Sequence, residues 1–290
     1  MAKTAQSVHL HPEREQLTEN SALRFLIYFF LIVTTFTMLI PFAWMLSSSI
    51  KYNKDVFAFP MQWIPSEPRW ANYSIIWSRI PLARFIYNTF KLAIIITILQ
   101  LFSSSFAAYA FAKLRFPGRR GLFLGYIATI AVPWQAYMIP QFILMRSMGL
   151  NNTHMAIICL QAFSAFGVFL MKQFYESIPD ELREAARIDG YSEYGIWWRI
   201  MLPLSKPAVS TLIIITYVTT WNDFLGPMIY LTRTDLKTIQ IGLRSFISQY
   251  SSEYGLIMAG SVVALIPVLV VFLSLQRYFV QGIASTGIKG

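Results

Sequence analysis

One acidic side chain lies inside a long apolar stretch of the sequence: Asp223, directly after Trp221 and Asn222. An isolated charge at the centre of a bilayer costs about 2.5–3.5 kcal/mol on insertion scales, so Asp223 must face a cavity, a protein partner or the outer interface. An indole ring beside an amide and a carboxylate offers a stacking surface with hydrogen-bond donors and acceptors, which suits a neutral polyhydroxylated ligand. Because Gly226-Pro227 follows at once, the alternative is a structural polar knot at a helix break.

A second set of polar residues stands in another apolar stretch, where Gln135 and Tyr137 lie between Pro133 and Pro140. Prolines inside a transmembrane helix indicate kinks, which are tolerated when neighbouring groups satisfy the freed backbone. Polar side chains at membrane depth usually face a cavity or a partner. Gln135 and Tyr137 are therefore candidates either for lining a polar pathway or for the packing of a kinked helix.

The sequence lacks the side-chain clusters that catalysis or metal binding would need. Cys159 is the single cysteine and lies in an apolar stretch, so an intrachain disulfide is excluded. His154 has no second histidine at ligand spacing, which argues against a metal site. We therefore predict that this chain is not an enzyme and binds no metal.

Composition places these residues in a membrane protein. Hydrophobic residues make up 56% of the 290 residues and charged residues only 13%, whereas soluble domains average about 25% charged. A membrane-crossing helix needs about 20 mainly apolar residues. The uncharged stretches predict an all-α integral membrane protein with six transmembrane helices, near residues 24–50, 88–112, 121–145, 153–173, 207–231 and 255–277. The net charge of +10 is attributed to basic loops beside anionic lipid rather than to nucleic-acid binding.

Charge in the loops predicts the orientation. The loop after span two carries Lys113, Arg115, Arg119 and Arg120 and no acid, so the positive-inside rule places it in the cytoplasm. The N-terminal tail (1–23), the loop 174–206 and the C-terminal tail (278–290) are then cytoplasmic too. The loop 51–87 is outside, and its alternating tryptophans and prolines predict an ordered hairpin or short helices on the membrane face.

The inner loop between spans four and five has the features of a short helix. Pro179 suits the first turn, acids follow it at the positive end of the helix dipole, and Gly190 suits the left-handed residue that ends a helix. The residues at i, i+3, i+4 and i+7 form one small, mostly apolar face: Leu182, Ala185, Ala186 and Asp189. We predict a docking surface for another protein, the alternative being a surface helix that only links two spans.

The same stretch carries a family resemblance. Glu184-Ala-Ala-Arg-Ile-Asp-Gly190, followed by Ile200, Leu202, Pro203 and Pro207, resembles the motif of permease subunits of binding-protein-dependent ABC importers. The segments 107–118, 221–224 and 276–290 resemble the smaller permease of maltose-type carbohydrate importers. This resemblance implies a six-span permease whose cytoplasmic coupling helix lies between spans four and five.

The resemblance also implies partners and a location. The expected partners are a second related permease, an ATP-binding cassette ATPase dimer and an extracytoplasmic sugar-binding protein, all at a bacterial or archaeal cytoplasmic (inner) membrane. ATP and Mg²⁺ would be used by the ATPase, because this chain lacks a phosphate-binding G-x-x-x-x-G-K-[ST] loop. The residues implied to dock on the ATPase are Glu184, Ala185, Ala186, Asp189, Gly190, Ile200, Leu202, Pro203 and Pro207, with Gln281 and Gly282 in the tail.

The transported solute is expected to be a sugar or oligosaccharide. A permease for a polyol or glycerol phosphate is the alternative within transport, although Asp223 disfavours an anionic solute. A stand-alone secondary transporter is the alternative from another class, and it would have no need of a docking helix.

Overall fold

The computed structural model describes residues 21–247 and 252–286, with the side chains of 21 and 278–286 left out. The predicted N-terminal tail therefore falls largely outside the described residues, as does the end of the C-terminal tail. Apart from one isolated bridge between Ile247 and Ser252, the described ranges contain only helices, turns and loops. This confirms the predicted all-α fold.

The helices follow one another along the chain with short connections. In order they are α1 (Ser21–Ser49), α2 (Ala71–Arg79), α3 (Leu82–Lys113), α4 (Arg119–Ala128), α5 (Trp134–Ser147), α6 (His154–Gln161), α7 (Ala165–Ser177), α8 (Asp180–Ile188), α9 (Glu193–Ile196), α10 (Leu202–Leu204), α11 (Lys206–Trp221), α12 (Leu225–Tyr230), α13 (Ile239–Arg244) and α14 (Tyr254–Thr286). A π-helical turn, Trp197–Met201, joins α9 to α10.

Within the described residues, four stretches are long and apolar enough to cross a membrane: Ala22–Ser49, Leu82–Lys113, His154–Ser177 and Tyr254–Arg277. Two bent helix pairs meet the same criteria if each is taken as one span, which raises the number to six. In the first pair, α4 with its 3-10 extension meets α5 at 101°. In the second, the segment Glu193–Leu204 meets α11 at 82°.

Two predicted boundaries differ from the structure. Span two begins at Leu82 rather than near 88, because Leu82 and Phe85 are buried in a core cluster that extends the helix into the predicted outer loop. Helix α14 continues past the predicted end of span six, near 277, to Thr286, so the backbone of Gln281 and Gly282 is helical where a tail was expected. Charged residues in the sequence indicate where a helix leaves the hydrocarbon layer, but its backbone hydrogen bonds can continue beyond that point.

Helix α3 is the centre of the packing. It contacts α7, α11, α13 and α6, and small residues allow the closest of these approaches. A Cβ added to Gly167 of α7 would lie 2.5 Å from Ser104 Oγ, and Ser104, Ser105 and Ala108 are buried. The small-residue stretch of span two therefore serves helix packing, as small residues do where lipid offers no hydrophobic drive.

The outer loop is ordered, as predicted. Asn72 of α2 donates two hydrogen bonds of 2.9 Å, to the carbonyl oxygens of Ser49 and Lys51. The buried Lys51 ammonium lies 4.0 Å from the ring centre of Trp44 and donates to the carbonyl of Gln62. These contacts fix the end of α1 against the short helix α2.

Candidate functional site

Spans three and four, and the predicted span five (207–231), are each interrupted at the same cavity. The breaks lie between α4 and α5, between α6 and α7, and between α11 and α12. A cavity of about 760 Å³ opens among them. Its lining includes Gln100, Trp134, Tyr137, Gln141, Gln161, Phe163, Ser164, Thr216, Thr219, Asn222, Asp223 and Phe224. Irregular backbone at membrane depth is tolerated where it is buried in protein or lines a water-filled space, and discontinuous helices form the binding sites of many transporters.

Asp223 joins two of these breaks. Its Oδ2 accepts a hydrogen bond of 2.8 Å from Gln161 Nε2, and its Oδ1 accepts one of 3.1 Å from the backbone N–H of Gly226. A carboxylate can accept about four hydrogen bonds, so both oxygens keep capacity toward the cavity. The two interpretations of Asp223 are therefore compatible, because it organises the break and also lines the space.

Gly226 is required by this arrangement. A Cβ at this position would lie 2.6 Å from Asp223 Oδ2, which is closer than such a contact allows. The sequence Asp223-Phe-Leu-Gly226 thus folds the carboxylate over the first turn of α12.

Gln100 of α3 connects span two to the same two walls of the cavity, at Gln161 and Thr216. Its Nε2 donates a 2.7 Å hydrogen bond to the carbonyl of Gln161, and its Oε1 accepts one of 3.0 Å from Thr216 Oγ1. Ser103, one turn further along α3, donates a hydrogen bond of 2.8 Å to the carbonyl oxygen of Ala162. These bonds satisfy carbonyls that the break in span four leaves free.

The sequence prediction did not include Gln100, Gln161 or Thr216. For Gln100 and Gln161, the signal in the sequence was a side-chain amide inside an apolar span, because burying an amide in the membrane is costly unless it is hydrogen-bonded. Their pairing joins residues far apart in the chain, so the sequence alone could not match them.

Of the two candidates in span three, only Tyr137 lines the cavity. Nearby, Trp134 Nε1 donates a 2.9 Å hydrogen bond to Gln141 Oε1 on the same helix. Gln135 is exposed and points elsewhere. Residues two apart on a helix are rotated by about 200°, so Gln135 and Tyr137 could not share one face. Gln135 therefore does not line this cavity, and its place in a polar pathway stays a prediction.

Trp221 also departs from its expected role. Trp221 is 1% exposed, and its Nε1 donates a hydrogen bond of 3.0 Å to the carbonyl oxygen of Ala264. Its ring stacks on the ring of Tyr217, with the two ring centroids 5.7 Å apart. It therefore packs between α11 and α14 rather than facing the cavity. Asn222, the next residue, does line the cavity because the helix ends there and the direction of successive side chains changes.

The inner loop forms the predicted helix, α8, which we call the coupling helix. Pro179 precedes it, Asp180 and Glu181 occupy its first turn, and Gly190 follows its end with a φ of +84°. A Cβ on Gly190 would meet nothing within 4 Å, so the backbone angle alone selects glycine.

The predicted docking face is divided by the fold. Ala186 is 3% exposed and packs in the core with Ile196 and Trp197, so it is not available to a partner. Ala185 is exposed, and the exposed fractions of Leu182 and Ile188 are 45% and 86%. The exposed residues of the coupling helix and the turn that follows it are Asp180, Glu181, Leu182, Glu184, Ala185, Arg187, Ile188, Asp189 and Gly190.

The remaining motif residues turn the chain back into the membrane. Ile200 and Leu202 are half-buried against the core cluster, Pro207 lies in the first turn of α11, and Pro203 is exposed. Their neighbour Trp197 is fully buried. The rings of Phe102 and Phe106 meet its ring edge-on, with centroid distances of 5.4 and 5.2 Å. Ile200, Leu202 and Pro207 thus stabilise the junction between the inner loop and α11. Of these four motif residues, only Pro203 is on the surface.

Ion pairs attach the coupling helix to its surroundings. Lys113 Nζ lies 2.6 Å from Asp180 Oδ1, and this hydrogen bond lowers the pKa of the Asp180 carboxyl below its ordinary value of 3.8. Glu193 accepts hydrogen bonds from Arg183 at 2.8 and 3.2 Å and from Arg187 at 2.7 Å.

In the part of the chain that the structure describes, no three His, Cys, Asp or Glu residues come together as possible metal ligands. His154 Nε2 is instead within 2.8 Å of the carbonyl of Leu236.

Comparison with known proteins identifies the family. Residues 100–285 match the family described as binding-protein-dependent transport system inner membrane component. The chain belongs to this family. It is a permease component of a transport system, and its coupling helix and the three broken spans all lie within the matched region.

Individual relatives agree with this assignment. The chain is 37% identical over 203 residues to the arabinooligosaccharides transport system permease protein AraQ of Halalkalibacterium halodurans, which covers 70% of this chain and 73% of that protein. It is 34% identical over 259 residues to the lactose transport system permease protein LacG of Rhizobium radiobacter, covering 89% and 94% respectively.

The fold is also that of a solved transporter chain. A bacterial ABC transporter involved in the import of the acidic polysaccharide alginate matches with a TM-score of 0.77 and 24% identity, over 94% of this chain and 100% of that one. At this identity the likeness establishes the fold of this family member and nothing about its ligand.

Proposed function

We propose that this chain is the permease subunit of an ATP-driven ABC importer that carries a neutral sugar or oligosaccharide. The observation that carries this proposal is the cavity at three broken spans, about 760 Å³ in volume. A space of this size accommodates a small saccharide.

The lining of the cavity favours a hydroxyl-rich, uncharged solute. Side-chain amides of Gln100, Gln161 and Asn222 offer both donors and acceptors, and the rings of Trp134 and Tyr137 offer flat surfaces. Among the described residues, no Lys or Arg lines the space, and its single charge is the negative Asp223. A phosphorylated or otherwise anionic solute would meet repulsion there. The names of the arabinooligosaccharide and lactose relatives agree with this choice of solute class.

We assign the energy source to a partner ATPase. The outward face of the coupling helix, with Glu184, Ala185, Asp189 and Gly190 exposed, is suited to a cleft in an ATPase dimer. ATP and Mg²⁺ would bind to that dimer and not to this chain, which lacks a phosphate-binding loop of its own. In this arrangement Gln281 and Gly282, at the end of α14, lie on the ATPase side.

The remaining partners follow from the same arrangement. A second, related permease would complete the pathway, and an extracytoplasmic binding protein would deliver the sugar to the outer loops. Both termini would lie in the cytoplasm of a multi-pass protein in the bacterial or archaeal inner membrane, in accord with the four basic residues between α3 and α5.

The substrate class is tested on the complex purified through a tag on this chain, with its binding protein added in turn with several solutes. We expect ATPase stimulation by an arabinooligosaccharide or lactose and none by glycerol 3-phosphate or xylitol. Stimulation by glycerol 3-phosphate alone would contradict a neutral-sugar pathway. Failure of every solute to stimulate the ATPase would contradict an importer of this class.

A further inference from the structure

Helix α3 is the uninterrupted element between the coupling helix and the cavity. It runs through 32 residues from Leu82 to Lys113 without an internal proline. Spans three, four and five, which also border the cavity, are each broken beside it. A continuous helix transmits a displacement along its axis better than a broken one, because every backbone hydrogen bond of its ladder is intact.

Lys113, the last residue of α3, binds the beginning of the coupling helix. Its side chain is 4% exposed, and its ammonium donates 2.6 Å hydrogen bonds to Asp180 Oδ1 and to the carbonyl of Ile178. The ammonium thus holds the residue before Pro179 and the first residue of α8 together. A buried ammonium is strongly destabilised when its partner is removed, so this contact resists separation.

Tyr109, one turn earlier on α3, binds the far end of the same loop. Its hydroxyl donates to Glu193 Oε2, and Tyr109 itself is 2% exposed. Glu193 in turn accepts hydrogen bonds from Arg183 and Arg187 of the coupling helix. The helix is therefore tied to α3 directly at its start and, through Glu193, along its remaining length.

The covalent connections of the coupling helix are weaker constraints on its orientation. A single extended residue pair, Ile178-Pro179, precedes it, and Gly190 follows it with left-handed backbone geometry. Neither junction continues a helical hydrogen-bond ladder into a neighbouring span. The side-chain contacts with α3, together with the packing of Ala186 against Ile196 and Trp197, therefore fix the position of the coupling helix.

At the cavity, α3 holds two of the broken spans. Gln100 bonds the carbonyl of Gln161 and the hydroxyl of Thr216, and Ser103 bonds the carbonyl of Ala162. Gln100 lies about 20 Å along the helix axis from Lys113, at 1.5 Å per residue. One rigid helix thus contacts the loop at one end and the breaks of spans four and five nearer its middle.

From these contacts we infer that Lys113 and Tyr109 are positioning residues that lock the coupling helix to α3, and that α3 carries its displacement to Gln100 at the cavity. This inference rests on the proposed importer function, since it assigns the route by which ATP-driven movement reaches the solute. Coupling of this kind requires an element whose position both sites bias, and α3 is the candidate for that element because it contacts both.

The test uses the whole complex in proteoliposomes and compares ATPase rates with and without loaded binding protein. Lys113→Met and Tyr109→Phe should each lower the stimulation ratio about fivefold or more, the lower range of typical coupling between sites. Lys113→Arg, which keeps the charge and donors, should retain most of the ratio. Lys172→Met is the matched control, because Lys172 forms its 2.5 Å ion pair with Glu176 on α7 and not with the coupling helix. Its ratio should remain that of the wild type.

A double-mutant cycle separates transmission from local packing. Gln100→Leu should lower the ratio, and adding Lys113→Met should lower it little further, because one relay is already interrupted. Fully additive losses, or a wild-type ratio in both Lys113→Met and Tyr109→Phe, would overturn the inference. If Lys113→Met prevents assembly, Asp180→Asn provides the same test from the exposed partner. Absence of stimulation in the wild-type complex would instead refute the proposed function.

Discussion

Gln161 and Asp223 are joined by a hydrogen bond of 2.8 Å that connects the end of α6 to the break before α12. The amide and the carboxylate lie in different spans, and both line the cavity. One contact therefore fixes the relative position of two interrupted helices and presents polar atoms to the solute.

Replacement of Asp223 tests the role directly. Asp223→Ala removes the acceptor of both Gln161 and the Gly226 N–H, so uptake should fall or the solute preference should change. Loss of buried hydrogen bonds costs about 1–3 kcal/mol per unsatisfied group, which the assembled complex should survive. Uptake assays and size-exclusion chromatography of the complex measure the two effects.

The control for Asp223 is Asp235→Ala, which removes an acid from an exposed ion pair with Arg233 outside the cavity. Uptake by this variant should match the wild type. Wild-type uptake by Asp223→Ala would show that the carboxylate is not part of the pathway, and collapse of the complex would show a purely structural role.

Gly190 should tolerate few other residues. At its φ of +84°, a side chain costs roughly 1–2 kcal/mol, so Gly190→Val should distort the end of the coupling helix and reduce stimulation of the ATPase by loaded binding protein. Gly125→Val, on helix α4 with open space around it, is the control and should have little effect. Equal stimulation in both variants would mean that the loop is only a connector.

Glu184→Lys, which reverses a charge on the exposed face of the coupling helix, should give the same loss of ATPase stimulation without backbone strain.

Trp221 should affect stability rather than solute choice. Trp221→Ala leaves a cavity between α11 and α14 and should cost about 3–5 kcal/mol, the usual range for a buried aromatic. Thermal unfolding of the purified complex measures this cost, and the order of preferred solutes should not change. Trp77→Ala, at a half-exposed ring of the outer helix α2, should leave the melting temperature unaltered. A changed preference with unchanged stability would place Trp221 in the pathway after all.

The approach of α3 to α7 should depend on a missing side chain. Gly167→Ala introduces a Cβ 2.5 Å from Ser104 Oγ and should destabilise the protein by about 1–3 kcal/mol, as overpacking does. Ser104→Ala removes that oxygen and should recover part of the loss in the double variant. Strictly additive changes in melting temperature would contradict a direct contact between the two positions.

The sequence predicted those features that depend on local pattern. The uncharged stretches indicated the spans, and Pro179 and Gly190 marked the start and end of the coupling helix, because capping depends on neighbouring residues alone. The resemblance around Glu184 indicated the family that the matched region then established.

Features that depend on the direction of a side chain at a break could not be predicted. Trp221 and Asn222 are adjacent, yet the end of α11 sends one into the core and the other to the cavity. Gln100 and Gln161 meet across 61 positions of the chain, a pairing that only the fold creates. Ala186 matched the periodicity of a docking face but is buried, because periodicity does not tell which side of a short helix faces the protein.

ATP-driven uptake is the measurement that tests the importer function of this chain. The complex purified through this chain, reconstituted in proteoliposomes with ATP inside and its binding protein outside, is supplied with a radiolabelled arabinooligosaccharide or lactose. We predict accumulation of label that requires both ATP and the binding protein and that is reduced in Gly190→Val. Uptake by this chain alone, or uptake that is independent of ATP, would contradict the account.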